Sequence, residues 1–440
     1  MLNCEPLYYI HSIESQELLS IRRQTMKRRH FLQMAAGATA TALVERSSAL
    51  TRCAEHIALC IDKVSVELAP GVVVRTTAYN GQIPGSVLRM REGIPTSIVL
   101  TNLTSRAESV QWYGLPRSGA FAAKMQDPIV EPGATQIHEV IPGAVGTRWY
   151  RAHSMASTNA LRSAENGQFG FLIVSSRNEA GAYDQEVLLA VRHWEAKPER
   201  SQSVRYACFN DKLMGAGEPI RVRTGQRVLF RFLNASEHEE TCLHLPGHRF
   251  EVIALDGNPV PRQAAVDVLS MAPGERIDAI VKMDSPGTWI LGSVDDAERA
   301  RGLGIHIEYA DQSGAPRWSA PAALDWSYTR FSSAHALERQ TGQASSVFLE
   351  RSSGYDGHLH WTFNGRSYPD LGSLPIWKSE GLRLKMMNTT GQNHFVHLPH
   401  CNFALARVHQ VPVAGVVKDT IRLERYNVVE ADVIPNRQRS

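Results

Sequence analysis

Three stretches of the chain carry the same local instruction. They are Tyr79-Asn80-Gly81 ahead of Val87-Leu88-Arg89-Met90-Arg91-Glu92-Gly93, Phe209-Asn210 ahead of Ile220-Arg221-Val222-Arg223-Thr224-Gly225, and Phe363-Asn364-Gly365 ahead of Leu374-Pro375-Ile376-Trp377 and Gly381. Each reads as a strand, a Gly turn and another strand, the last ending at Asn102, Asn234 or Asn388. Val228, Phe230 and Phe232, like Leu382, Leu384 and Met386, recur every second residue, the period of a half-buried strand whose successive side chains point to opposite faces. A second block repeats as well: Pro132-Gly133 leads to Gly146-Thr147-Arg148-Trp149, and Pro273-Gly274 leads to Pro286-Gly287-Thr288-Trp289. Helical periodicity is nearly absent. Short strands punctuated by Gly and Pro, in units of about 120 to 150 residues, fit tandem Greek-key sandwiches and not a propeller, whose blades recur every ~40 to 50 residues. The expected fold is therefore all-β, with three β-sandwich domains in line.

The repeats place these domains at 57–178, 186–312 and 347–440, with a linker at 313–346. In the third copy Leu423 to Val433 follow the course of Met271 to Val281, and the sequence reaches Ser440 where the Gly-Thr-Trp strand is due. The expectation is a third sandwich without its last strand, leaving an open edge that can take up a second copy or another protein.

A chain of 440 residues has room for several cores. A formal net charge of +3, with Lys and Arg evenly scattered, gives no footprint for nucleic acid. None of the six cysteines forms a Cys-x-x-Cys pair, and no disulfide framework is indicated. Lys27-Arg28-Arg29-His30-Phe31-Leu32 precedes a weakly apolar run, Met34 to Val44, too short to span a bilayer. This reads as a twin-arginine export signal over 26–50, and residues 1–25 as a start assigned too early, since Met26 stands just ahead of the motif. The expected destination is periplasmic or extracellular, with no membrane span once the signal is removed.

The repeats resemble the cupredoxin domains of three-domain, laccase-like bacterial multicopper oxidases, over residues 57 to 440. That resemblance implies copper, and copper-dependent oxidation of phenolic or metal substrates with reduction of dioxygen to water. The family sets His-x-His pairs on strands, where residues i and i+2 share a face and two imidazoles converge on one cluster. The His-Trp-His-Gly motif of the first domain corresponds here to Gln111-Trp112-Tyr113-Gly114, and Trp-Tyr-His-Ser-His to Trp149-Tyr150-Arg151-Ala152-His153. Asn166 to Phe171 still follow the family pattern, which secures that alignment. The third-domain His-Pro-x-His-Leu-His corresponds to His394-Phe395-Val396-His397-Leu398-Pro399. Nine-residue steps from Asn102 to Gln111 and from Asn388 to His397 confirm the register. The His-Cys-His segment that supplies the type 1 thiolate has no counterpart in the sequence. Gln111, Tyr113, Arg151 and Pro399 thus mark lost ligand positions, while His153 and His397 remain from the trinuclear set and His394 from the type 1 set. A blue-copper site requires a thiolate with two imidazoles, so the expectation is a family member without oxidase activity. Copper is expected to be absent or substoichiometric, with at most one metal held weakly between His153 and His397.

Other candidates read as structural. Cys401 lies near His394 and His397 in sequence but at a different strand position from the missing thiolate. His358-x-His360 reads as a solvated face, His244 and His248 as structural, and Trp149 and Trp289 as core anchors. Three functions stay open at this point: a copper oxidase, a non-catalytic scaffold that binds proteins of the cell envelope, and a truncated product without function. The intact turn glycines and alternation of Gly217 to Asn234 and Pro246 to Trp289 argue against general decay.

Overall fold

The computed structural model describes residues 55–115, 129–153, 167–176, 182–196, 204–333, 343–353, 359–366, 382–398 and 401–435. The export signal expected at 26–50, together with Pro399 and His358, lies outside the described residues.

Each repeated turn is built the same way. Asn80, Asn210 and Asn364 take left-handed φ values of 53°, 47° and 50°, a region that Asn tolerates better than other side chains. The reason for Asn is visible in the hydrogen bonds. Asn80 Oδ1 accepts from Cys60 N at 2.8 Å and its Nδ2 donates to Ala58 O at 3.1 Å. Asn210 makes the same pair with Ala190 N and Leu188 O, both 2.8 Å, and Asn364 with Phe348 N at 2.8 Å and Ser346 O at 3.4 Å. In each turn the Asn backbone N–H closes a further bond to the same neighbouring strand. The asparagines ending the second strands are clamps too. Asn102 Nδ2 donates to Arg106 O and Val130 O, Asn234 Nδ2 to Glu239 O and Met271 O, and Asn388 Nδ2 to Gln392 O and Leu423 O.

Among the described residues these turns organise six sheets in three pairs. In the first pair, Glu55–Ala69 lies between Val72–Tyr79 and Thr96–Asn102. The facing five-stranded sheet contains Gly85–Arg91, Phe169–Ser175, Gly146–His153 and Glu108–Tyr113. The second pair repeats this plan with Gln185–Ala196, parallel to Arg227–Asn234, and with Thr241–His244 flanked on both sides by Val268–Met271 and Thr288–Ser293. In the third pair, Gln343–Ser353 runs parallel to Leu382–Asn388. There, among the described residues, His394–His397 pairs only with Thr420–Leu423.

The expected alternation holds for Leu382–Asn388 but not for Arg227–Asn234, which is buried on both faces. The outer face of that strand is covered by the first domain. Leu233 joins Trp149, Phe169 and Phe171 in one apolar cluster, and Arg231 reaches Thr147 Oγ1 at 3.0 Å and Asp278 Oδ2 at 2.9 Å. Backbones approach closely there. A Cβ on Gly146 would stand 1.9 Å from Gly257 O, and Gly257 itself has φ +73°, so neither position accepts a side chain. The core anchors divide: Trp149 is buried, while Trp289 is half-buried and holds Ser285 O through its indole N–H. The segment after Ala310 lies on the second sandwich: Arg317 pairs in backbone with Thr288 and Ile290, and its guanidinium covers the Trp289 ring at 4.1 Å.

Candidate functional site

Antiparallel pairing sets Gln111 opposite Arg151, Tyr113 opposite Trp149 and Ser109 opposite His153. Since side chains alternate, Ser109, Gln111, Tyr113, Trp149 and Arg151 belong to one face of the sheet. The other face, with Val110, Trp112, Tyr150 and Ala152, forms the core of the first sandwich. Tyr113 and Trp149 instead join the cluster shared with Ala190, Trp194, Cys208 and Ala235 of the second. The positions where ligands are due therefore look outward, into the junction between domains.

That junction is filled. The Tyr113 ring lies 4.4 Å from the Trp149 ring and 4.4 Å from the His397 ring, at tilts of 31° and 35°. Tyr113, at a position where the family resemblance implies a ligand, thus packs directly on His397. Its hydroxyl donates to Gln111 Oε1 at 3.3 Å. Arg151 meets Glu237 of the second domain at 2.5 Å, and Arg192 stands 3.6 Å from the same carboxylate. Burial raises the Glu237 carboxyl, but the two guanidiniums pull it below its ordinary value, so it is charged and shared at neutral pH.

His397 donates from Nδ1 to Asp419 O at 2.8 Å, which leaves the lone pair on Nε2. Burial lowers its proton affinity, with Arg276 adding to the effect and Asp419 opposing it. His394 lies one strand position off in parity, hence on the opposite face. It shares a 2.9 Å hydrogen bond with Thr390 Oγ1, and burial lowers its pKa to about 4. His153 is placed by its backbone alone, four strand positions from Trp149, a run of about 13 Å. Cys401 is buried and its thiol is pushed up to about 12, far from the thiolate a blue-copper centre needs. Among the described residues no three His, Cys, Asp or Glu side chains converge as a metal site.

His244 and His248 are structural in detail. His244 Nδ1 bonds Asp267 O at 2.7 Å; His248 spans Pro246 O at 2.8 Å and the Tyr309 hydroxyl at 2.6 Å. Ser236, His193 and Glu298 line up as a hydroxyl–imidazole–carboxylate relay, at 2.7 and 3.0 Å. Ser236 is only 1% exposed, so no substrate reaches it and the relay is a packing element.

The sequence reading missed a buried ion network beside His397. Arg276 grips Asp419 through two hydrogen bonds of 2.7 and 2.6 Å. Lys418 stands 2.9 Å from both Asp256 and Glu275, and Tyr328 donates to Glu275. Arg148, from the first domain, donates to Asp256 O at 2.6 Å. Burial alone would strip the proton from Lys418, but Asp256 and Glu275 hold it above its ordinary value. Three cations (Arg148, Arg276, Lys418) face three carboxylates (Asp256, Glu275, Asp419), and the network crosses all three domains. The only signal in the sequence was charge inside strand-like segments, which does not name partners.

Two family models match, both described as multicopper oxidase, over residues 61–179 and 149–307. The chain belongs to the multicopper oxidase family. Among curated multicopper oxidases it is 22% identical to MmcO of Mycobacterium tuberculosis, over 80% of this chain and 76% of that protein. It is 27% identical to Laccase-15 of Oryza sativa subsp. japonica over 48% of this chain, and spans only 39% of the length of that laccase. The solved structure of Lac15 from a marine microbial metagenome covers 86% of this chain and 93% of its own, with a TM-score of 0.63 at 20% identity, a likeness of fold. The cupredoxin architecture is common to the family, and its cofactor there is copper. No helix among the described residues is long and apolar enough to cross a membrane.

Proposed function

We propose that this multicopper oxidase relative is a non-catalytic cupredoxin scaffold of the cell envelope, exported through the twin-arginine signal at Arg28 and Arg29. In this reading the chain neither reduces dioxygen nor oxidises phenols or metal ions. The carrying observation is the Tyr113 ring packed on His397 at 4.4 Å. An imidazole at position 113 would contribute a ligand to a shared cluster. The phenol that stands there has no such role, and Gln111 and Arg151 are engaged with Tyr113 and Glu237. With the Cys401 thiol protonated, the described donors do not fit a type 1 or trinuclear copper centre. Among the described residues His394–His397 pairs on one side, with Thr420–Leu423, and in this reading its other side receives an envelope protein through strand addition.

Family membership supports a second reading, a copper-dependent oxidase, and metal analysis separates the two. Purified protein reconstituted with copper should hold less than one equivalent, show no thiolate-to-copper band, and consume no dioxygen with phenols beyond a copper-only control. Turnover above that control, abolished by His397→Ala, would establish the oxidase instead. Replacing Arg28 and Arg29 with Lys should leave the precursor in the cytoplasm; unchanged export would remove the envelope assignment.

A further inference from the structure

In two of the three repeated turns Asn is followed by glycine, Gly81 and Gly365; in the second domain the place is taken by Asp211, with φ +55°. Its carboxylate is 1% exposed. Oδ1 accepts from the Trp194 indole N–H at 2.7 Å and from Cys208 Sγ at 3.6 Å. Oδ2 has no hydrogen-bond partner among the described residues. The turn is also a domain joint: Lys212 Nζ donates to Glu67 O at 2.7 Å, and Leu213 N donates to Leu68 O at 2.9 Å, both on Glu55–Ala69 of the first sandwich. Trp194 and Cys208 share one apolar cluster with Leu68, Trp149 and Phe169.

The charged groups around this carboxylate are committed elsewhere. Arg192, on Gln185–Ala196, gives Nη1 to Ala235 O at 2.7 Å, sits 3.6 Å from Glu237, and covers the rings of Trp194 and Phe169. Burial keeps the Cys208 thiol well above its ordinary value, so it stays neutral. Lys212 spends its ammonium on Glu67 O, and the Glu67 carboxylate turns back to Gly71 N at 3.0 Å. Glu237 is held by Arg151 and Arg192, and burial lowers His238 into its neutral form.

We propose that Asp211 makes the joint between the first two domains pH-responsive, its neutral acid seating the turn against Glu55–Ala69 and its carboxylate loosening it. A buried carboxylate with one oxygen unpaired carries a desolvation cost that the neutral acid avoids. Consistently, burial raises this carboxyl to about 6 from 3.8, although Trp194 and Arg192 pull the other way. The unfolded turn releases its proton near 3.8 and the folded turn near 6. This group therefore favours the seated joint most below pH 3.8, loses that contribution as pH rises to about 6, and is flat above.

The test is an indole nitrogen titration of the full chain from about pH 4 to about pH 8, with amide exchange at Leu213 corrected for the intrinsic rate. One of the eight tryptophans, Trp194, should titrate with a midpoint near 6, and Leu213 protection should fall by up to roughly 100-fold as pH rises toward that midpoint and stay level above it. In Asp211→Asn, which fixes the neutral form, both dependences should vanish. An indole spectrum of the wild-type protein in which no signal titrates near 6 overturns the proposal, whether or not the variant folds. So does a Leu213 protection profile that is flat in the wild type, or that falls equally in Asp211→Asn.

Discussion

Two regions of this molecule answer to the same repeat and have fared differently. The turns at Asn80, Asn210 and Asn364 are alike down to the individual hydrogen bond. The strand pair Glu108–Tyr113 and Gly146–His153, equally regular in backbone, presents on its outward face a set of side chains unlike the ligands that family resemblance implies. The turns are dictated by backbone groups that must be paired whatever the protein does. The outward face answers only to what lies across the junction, and there an aromatic stack and an ion pair stand at the ligand positions. Cohesion between domains in this chain accordingly comes from Tyr113, Arg151 and the buried ion network, none of which requires a metal.

The comparison breaks most visibly at Arg276. Removing it by Arg276→Ala leaves Asp419 and Asp256 buried and under-compensated, and stability should fall by about 3–5 kcal/mol in denaturant unfolding. A change below ~1 kcal/mol would show that the network contributes little to domain cohesion. Next comes the aromatic stack. Tyr113→Ala should cost about 3 kcal/mol through the cavity between Trp149 and His397, whereas Tyr113→Phe, which loses only the long bond to Gln111, should cost under ~1 kcal/mol. Equal losses for the two would place the energy in the hydroxyl and not in the stack.

The turns provide the matching control. Asn210→Ala surrenders two hydrogen bonds and places a Cβ-bearing side chain without local support at φ 47°, at a cost of about 2 kcal/mol. Asn210→Gly relieves the backbone and should cost less; a larger loss in Gly than in Ala would contradict the left-handed-turn argument. A further effect is a pH slope. Burial lowers His138 in the first domain and His394 in the third to about 4, from 6.5. The unfolded chain takes up these protons first. The stability they confer is complete above pH 6.5 and declines as pH falls toward 4. His394→Phe should flatten that acid limb for the third domain, and an unchanged slope would mean that His394 is not buried neutral. Asp211 slopes in the opposite direction, so His394→Phe and Asp211→Asn should shift the pH profile with opposite signs.

Much of this was legible beforehand. The tandem β-sandwiches follow from strand period and turn spacing, and the family resemblance is what assigns Gln111, Tyr113 and Arg151 to ligand positions; the parallel pairing of the strands that open each repeat appears only in the structure. The half-buried alternation expected of Val228, Phe230 and Phe232 failed because a period-two pattern records one buried face, and the first domain covers the second. The network of Arg148, Arg276, Lys418, Asp256, Glu275 and Asp419 gave no warning, since its members are scattered over about 270 positions of the chain and are tolerable only because they meet.

The sequence by itself determined the all-β architecture and that Gln111, Tyr113, Arg151 and Pro399 stand where the family resemblance implies imidazole ligands. Strand period, turn chemistry and residue identity are local, and each can be read within a few positions. Only the tertiary structure decided that Tyr113 lies on His397, that Arg151 is neutralised by Glu237, and that Asp211 sits at a domain joint with one carboxylate oxygen lacking a partner among the described residues. Those outcomes depend on which distant groups are brought within hydrogen-bonding or van der Waals reach, and on how far water is excluded from them. Burial sets the strength and even the sign of an electrostatic contribution, and no stretch of sequence contains its own burial.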